Sequence, residues 1–339
     1  MEGYIVRILH ISDLHFGIKT GKNVTKEKIA ERNYFMDDLV KGLGSITESQ
    51  PLDYIFITGD IACTASEKEY TEAGTWLKKL SEACRVPARR IYICPGNHDT
   101  EREKSGESPE MSKGTDELLC MERFEKQMKR YENYQHFCQN AGLPSYELDG
   151  RRNYLSGVAA NPSMNVICLN TNWFVEKGKR KENPGIATGL VEQIKKEKKY
   201  ENHLPTITIM HHPVYHWNEK EKSNGAGSRQ VHAEVCNISD MILTGHAHKK
   251  EDGCGYQNET YICGNGAVYK EKAYHHNFHI YEWESRKTGA VDCLRTTYLF
   301  DGSKWYKRAQ TIRLQLGKQK KKSDKQPLKY SFSVLWWMR

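Results

Sequence analysis

Apolar and polar positions along this chain alternate between two periods, one for strands and one for helices. Ile5–Ile11 is a short apolar run, and Tyr54–Thr58 and Ile91–Cys94 are two more. Between the first two, residues 26–49 place Ile29, Phe35, Met36, Leu39, Val40 and Leu43 at helical spacing and stop before Pro51. Residues 66–83 repeat that spacing, and Ser66-Glu67-Lys68-Glu69 fits a capping box at their start. The order β-α-β-α-β predicts an α/β fold.

Farther along, residues 101–114 are polar with Gly and Pro and read as a loop. Residues 115–140 predict a helix whose stripe is Leu118, Leu119, Phe124, Met128, Tyr131, Tyr134 and Phe137. Strands are expected over 152–158, 166–170, Thr206–Met210, Met241–Thr244 and 260–263, with a helix over 188–200. Residues 218–228 read as a polar loop. From 277 to about 305, aromatic and β-branched runs broken at Thr288-Gly289 and Asp301-Gly302 suggest antiparallel strands. No repeat of solenoid period occurs.

Five of these strands end in the same kind of chemistry. They run out into Ser12-Asp13-Leu14-His15, Gly59-Asp60, Pro95-Gly96-Asn97-His98-Asp99, His211-His212-Pro213 and Gly245-His246-Ala247-His248. Ligand sites of open α/β sheets lie beyond the carboxyl ends of the strands. Five such ends would deliver carboxylates, an amide and imidazoles to one place. That mixed oxygen and nitrogen set, with no thiolate, suits Mn, Fe, Zn or Ni and argues against Ca or Mg alone and against an iron–sulfur cluster. Seven donors exceed the needs of one ion and suit a pair. Side chains at i and i+2 of an extended segment share a face, so Asp13 with His15, and His246 with His248, can converge. Glycines at 59, 96 and 245 fit sharp exits where a Cβ would obstruct.

The ordered set Asp-x-His, Gly-Asp, Gly-Asn-His-Asp, His-x-Pro and Gly-His-x-His resembles the calcineurin-like metallophosphoesterase superfamily. The resemblance runs from Asp13 to His248 and is specific, because all five blocks occur in order after the right strands. It implies a four-layer α/β/β/α sandwich, two mixed sheets flanked by helices. It implies two divalent or trivalent transition-metal ions (Mn, Fe or Zn). Asp13, His15 and His248 would hold the first, Asn97, His211 and His246 the second, and Asp60 would bridge them. His98 would sit over the substrate phosphate, where it can stabilise charge or donate a proton to the leaving oxygen, and Asp99 is expected to orient its ring or to brace the loop. His211 is the expected ligand of the adjacent pair, with His212 supporting it. The implied reaction is hydrolysis of a phosphoester by a hydroxide bridging the metals. Gly-Asn-His-Asp and Asp13-Leu14-His15-Phe16-Gly17 look more like the phosphodiesterase and nuclease branches than the Ser/Thr protein phosphatases, which carry Gly-Asn-His-Glu. The expected substrates are phosphodiesters of nucleotides, cyclic nucleotides or nucleic acid. Phosphomonoesters of small molecules or proteins are the alternative, and a non-catalytic adaptor keeping the fold is the last.

Other histidines read differently. His10, His136, His203 and His232 are expected to be structural. Trp173, Tyr215, His216 and Trp217 stand near the motifs and could line a substrate wall or simply pack. No Walker lysine motif is present.

Composition adds limits and one correction. The 339 residues carry a formal charge of +8, which is compatible with polyanionic partners. Residues 317–339, however, hold six Lys and one Arg against one Asp, so +6 lies there and only +2 in residues 1–316. The chain therefore divides into a catalytic domain, 1–316, and a basic linker with an aromatic end, 317–339, expected to contact the body, another subunit or a partner protein. Ten cysteines without a CxxC pair, several within apolar runs, argue for reduced thiols in the cytoplasm. Neither a secretory leader nor an apolar run of about 20 residues is evident, so no transmembrane segment is expected.

Overall fold

The computed structural model describes residues 4–17, 25–101, 128–159, 161–173, 184–186, 190–197, 204–213, 216–217, 228–248, 255–257, 260–265, 267–268, 276–284, 291–308 and 312–316. The tail 317–339, residues 115–127 and the loop 218–227 lie outside them.

Two mixed sheets face each other. The first holds β1 (Ile5–Ile11), β2 (Tyr54–Thr58) and β3 (Ile91–Cys94) in parallel. It continues antiparallel through β12 (Asn277–Glu284), β13 (Val291–Phe300) and β14 (Trp305–Lys307), with β15 (Ile312–Leu316) also on β13. In the second, β7 (Asn165–Leu169), β8 (Thr206–Met210), β9 (Met241–Thr244) and β11 (Thr260–Gly264) are parallel. The short strands β4 (Tyr146–Leu148), β5 (Arg151–Asn153), β6 (Gly157–Ala159) and β10 (Gly255–Gln257) fill its edges.

Alternation within each strand builds both cores. Val6 and Ile8 of β1, Tyr54 and Phe56 of β2, and Ile207, Ile209, Met241 and Leu243 of the other sheet fill the space between the sheets. Their neighbours Leu9, Ile11, Ile55, Ile57 and Ile242 face the helices. Strands buried on both faces read as continuous apolar runs, which is why these were legible. Helix α1 (Lys26–Glu48) and α2 (Glu67–Cys84) cover the first sheet, joined by α3 (Glu132–Asn140), which packs its Phe137 ring on Tyr70 of α2 at 5.3 Å. On the second sheet, α4 (Leu190–Lys196) and α5 (Ser228–Ile238) bury Ile194, Val235 and Cys236. The result is the expected four-layer sandwich. Ser66 and Glu69 form the expected capping box at the start of α2. No helix among the described residues is long and apolar enough to cross a membrane.

One expected strand needs correcting. Residues 152–158 are not one strand but the ends of β5 and β6 around a turn, because Asn153 Oδ1 accepts the amides of Leu155 and Ser156, both at 2.8 Å. A side-chain acceptor for two amides ends a strand. Helix α5 and strands β4, β10 and β15 were not anticipated.

His10 is structural, as expected. It is fully buried between the sheets, with Nε2 2.9 Å from Thr58 Oγ1 and its ring beside that of His279 at 6.1 Å. Burial, reinforced by His279, lowers its pKa to about 3. The unfolded chain takes this proton below pH ~6.5 while the fold refuses it. The contribution is therefore whole above pH 6.5 and lost as pH falls toward 3. The loss amounts to about 3 kcal/mol by pH 4. Urea unfolding of His10→Gln at pH 4 and pH 7 should show that much less acid sensitivity than the parent.

Candidate metal centre

The five motif loops meet at the carboxyl ends of β1, β2 and β3 on one sheet and of β8 and β9 on the other. Backbone bonds tie them in sequence. Asp13 and His15 donate their amides to the carbonyls of Gly59 and Asp60 at 3.1 and 2.9 Å, and Gly245 donates to His211 at 3.0 Å. The His98 amide reaches Asp60 Oδ1 at 2.9 Å, and the His246 amide reaches Asp13 Oδ2 at 3.1 Å. Each loop is thus positioned by its neighbours rather than by its own strand alone.

Close approach explains two glycines. A Cβ at Gly96 would strike the Asp60 carboxylate and amide, and one at Gly245 would strike Ser12 Oγ and Asp13 Oδ2. The expected pairing of side chains through extended backbone is not what occurs. Asp13, His15, Asp60, His246 and His248 all adopt left-handed backbone, with φ of 56, 47, 52, 69 and 53°. Such residues are uncommon and costly without Gly, and they persist where surrounding bonds over-determine them. The convergence of Asp13 with His15, and of His246 with His248, therefore comes from left-handed backbone at all four residues, not from a strand's alternation.

Asp13, His15, Asp60 and His248 form one group whose donor atoms all lie within 4.8 Å of one another. His248 Nε2 is 2.7 Å from Asp13 Oδ1 and 3.4 Å from His15 Nε2, and His15 Nε2 is 3.7 Å from Asp60 Oδ2. His211, His212 and His246 form a second group within the same span. His211 Nε2 points at Asn97 Oδ1 (3.0 Å) and at Asp60 Oδ2 (3.4 Å), so Asp60 faces both groups. The other nitrogen of His211 is fixed by the Thr58 carbonyl at 2.8 Å, and His212 Nδ1 is held by Thr171 Oγ1 at 2.9 Å.

Electrostatics separate the rings. Burial lowers the pKa of His15 to about 4, against the pull of Asp60 and Asp13. Burial also lowers His246 and His212, helped by neighbouring imidazoles. These rings are neutral at pH 7, the form that ligates a metal. Burial works against charge on His211 too, yet Asp60 and Asp13 raise its pKa to about 10. Burial opposes ionisation of Asp60, but His211, His98 and His15 hold its carboxyl well below the usual range; His248 does the same for Asp13. Two buried carboxylates facing neutral imidazole lone pairs and an amide oxygen constitute a donor set for cations of borderline softness.

His98 and Asp99 separate in role. The His98 ring stands edge-on to His15 at 5.0 Å, and its Nδ1 lies 2.8 Å from the Cys63 carbonyl. Asp99 does not orient it. Its carboxylate is fully buried and accepts the amides of Gly96 (2.8 Å), Ile61 (3.1 Å) and Ala62 (3.0 Å) and the Tyr70 hydroxyl (3.0 Å). These bonds tie the Gly-Asp loop to the Gly-Asn-His-Asp loop, and none of those made by the described residues joins Asp99 to the His98 ring. Burial and the nearby Asp60 push the pKa of Asp99 up to about 6.

Trp173 and Trp217 are buried packing, the latter donating Nε1 to the His212 carbonyl at 3.3 Å. His216 is half-buried with its ring 5.0 Å from that of His246. Tyr215 lies outside the described residues. Cys63, unremarked in the sequence, supplies the bond that fixes His98; nothing in a lone Cys signals a main-chain role.

The family model for calcineurin-like phosphoesterases matches residues 6–250. A probable cyclic nucleotide phosphodiesterase of Coxiella burnetii (strain RSA 493 / Nine Mile phase I) is 33% identical over 99 residues, 29% of this chain and 34% of the relative, so the match spans about a third of that protein. Among solved structures, a dimetal phosphatase from Danio rerio aligns with a TM-score of 0.47 at 11% identity, covering 91% of this chain and 98% of that one. A purple acid phosphatase from yellow lupin (Lupinus luteus) seeds aligns with a TM-score of 0.46 at 10% identity, covering 87% and 52%.

Proposed function

Because the chain belongs to the calcineurin-like phosphoesterase family, we propose that it is a two-metal phosphodiesterase acting on nucleotide phosphodiesters, cyclic nucleotides among them. The observation carrying this reading is the single cluster built by five loops, with Asp60 facing both halves of it. Asp13, His15 and His248 would hold one ion, Asn97, His211 and His246 the other, and Asp60 would serve both. Bound ions of this kind acidify water to near-neutral pKa and draw charge from phosphate oxygens. The chain's own part is then positional. Buried carboxylates and neutral rings set the charge of the centre, and Asp99 keeps the two central loops in register.

His98 handles the leaving group. A carbonyl can only accept, so the Cys63 contact requires hydrogen on Nδ1 and leaves Nε2 as the nitrogen that meets the departing oxygen. With Nδ1–H committed to that carbonyl, Nε2 donates only from the doubly protonated ring; in that form it passes its proton to the leaving oxygen as negative charge develops and returns to the neutral Nδ1–H ring. The similarity to a protein named as a cyclic nucleotide phosphodiesterase supports diesters as substrates. None of the described cysteines forms a disulfide and all but Cys63 are buried, which supports a reducing, cytoplasmic setting. The division at residue 316, and contact of the basic tail with another subunit or protein, remain part of the proposal.

Metal analysis of the purified protein, with turnover measured in Mn on cyclic nucleotides, dinucleotides, oligonucleotides and bis(p-nitrophenyl) phosphate, tests this. Diesterase activity with about two ions per chain is expected. Full activity on phosphomonoesters and none on any diester would replace the diesterase reading with the monoesterase one.

A further inference from the structure

We infer that Cys63 is a positioning residue for His98, fixing its tautomer and its direction through the main chain. The inference rests on the reading that His98 acts on the leaving oxygen. Three contacts hold Cys63, the residue whose carbonyl meets His98 Nδ1 at 2.8 Å. The Cys63 amide donates to the Phe16 carbonyl at 2.8 Å. Its thiol, with one hydrogen to give, lies against the carbonyls of Gly17 and His15, the latter at 3.3 Å. Cys63 thereby clips the loop carrying His15 to the ring of His98, so that the metal-facing His and the leaving-group His share one support.

The residues that follow are held with equal care. Thr64 N, Thr64 Oγ1 and Ser66 N all donate to Glu69 Oε2, at 2.9, 3.0 and 3.1 Å. Ala65 between them is buried in left-handed backbone at φ 59°, and its carbonyl accepts Asn133 Nδ2 at 3.0 Å. Capping α2 accounts for the Ser66 bond alone. It does not require the Thr64 bonds, the strained Ala65 or the thiol contact. All of these act on the placement of the Cys63 carbonyl. With Nδ1–H held by the carbonyl, the second proton of the charged ring sits on Nε2, and after its transfer to the leaving oxygen the neutral ring rests as the Nδ1–H tautomer; without the carbonyl the neutral ring is free to exchange tautomers.

Serine also has one hydrogen to offer these carbonyls, whereas alanine has none. Cys63→Ala, Cys63→Ser and His98→Ala are compared with the parent as Mn-loaded enzymes on a dinucleotide and on bis(p-nitrophenyl) phosphate. Cys63→Ala should lose about ten-fold in kcat on the dinucleotide with little change in KM, and less on the p-nitrophenyl ester, whose leaving group needs no proton. Cys63→Ser should recover most of that loss. Long-range ¹H–¹⁵N correlation of the His98 ring in the metal-free protein gives a second readout. Hydrogen should reside on Nδ1 in the parent and in Cys63→Ser, and exchange between nitrogens in Cys63→Ala. An unchanged tautomer in Cys63→Ala, or a serine variant as impaired as the alanine one, overturns the inference. Parental turnover in His98→Ala would instead overturn the role given to His98, and the tautomer measurement would still judge Cys63.

Discussion

His98→Ala loses about 10²- to 10⁴-fold in turnover on diesters with poor leaving groups while retaining its full complement of metal. The separation follows from what the residue touches. Its amide, which survives the substitution, is the group that bonds Asp60 Oδ1 at 2.9 Å. Its ring bonds only to the Cys63 carbonyl among the hydrogen bonds of the described residues, and meets His15 edge-on at 5.0 Å without competing for His15 Nε2. Removing the ring leaves the carboxylates, the imidazoles and Asn97 where they are. What goes is the group proposed to meet the leaving oxygen, so bis(p-nitrophenyl) phosphate should be hydrolysed with a much smaller loss than a dinucleotide. Metal content by mass spectrometry and kcat on the two substrates check this together. A variant that loses its metal would make His98 a ligand or a structural residue.

Much of this centre was legible because the chemistry is written in short blocks after apolar runs. A strand buried on both faces is a continuous apolar run, and Gly-Asn-His-Asp after Ile91–Cys94 needs no tertiary information to be seen. The glycines at 96 and 245 were legible for a related reason: where backbone and carboxylate come this close, only hydrogen fits. The backbone of the ligand residues was not legible. Alternation suggested extended segments, but a left-handed Asp13 or His246 is imposed by bonds from other loops, which no local pattern encodes. The roles of Asp99 and Cys63 were hidden likewise. Whether a buried carboxylate orients a ring or collects amides depends on which amides the fold brings to it. A main-chain acceptor is the same in every residue. Helix α5 escaped for want of propensity, since Val235 and Ile238 are β-branched and tertiary burial decides their state.

Asp60→Asn should have the opposite signature to His98→Ala, losing metal first and activity as a consequence. Asn keeps the shape of the side chain and an oxygen to accept the His98 amide, so the loop need not move. It removes the one negative charge that faces both groups, with Oδ2 3.4 Å from His211 Nε2 and 3.7 Å from His15 Nε2. Loss of a residue that merely orients a ligand costs about 10- to 100-fold in metal affinity; loss of the carboxylate proposed to serve both ions should exceed about 100-fold. The same substitution is readable without any metal. Against its burial, His211 owes its pKa of about 10 first to Asp60 and then to Asp13. That pKa lies above the unfolded value of about 6.5, so the ion pair stabilises the fold below pH 6.5 and is lost as pH rises through 10. In chelator, the parent should weaken between pH 7 and pH 10, while Asp60→Asn should change little over that span. The His211 ring should titrate well below 10 in the variant. Because a metal needs the neutral ring, parental metal affinity should rise with pH over the same interval, and that dependence should flatten in Asp60→Asn. Equilibrium dialysis at two pH values measures it. Undiminished affinity in the variant would mean that Asp60 does not serve the metals, and the centre would have to be rebuilt from the two groups as independent sites.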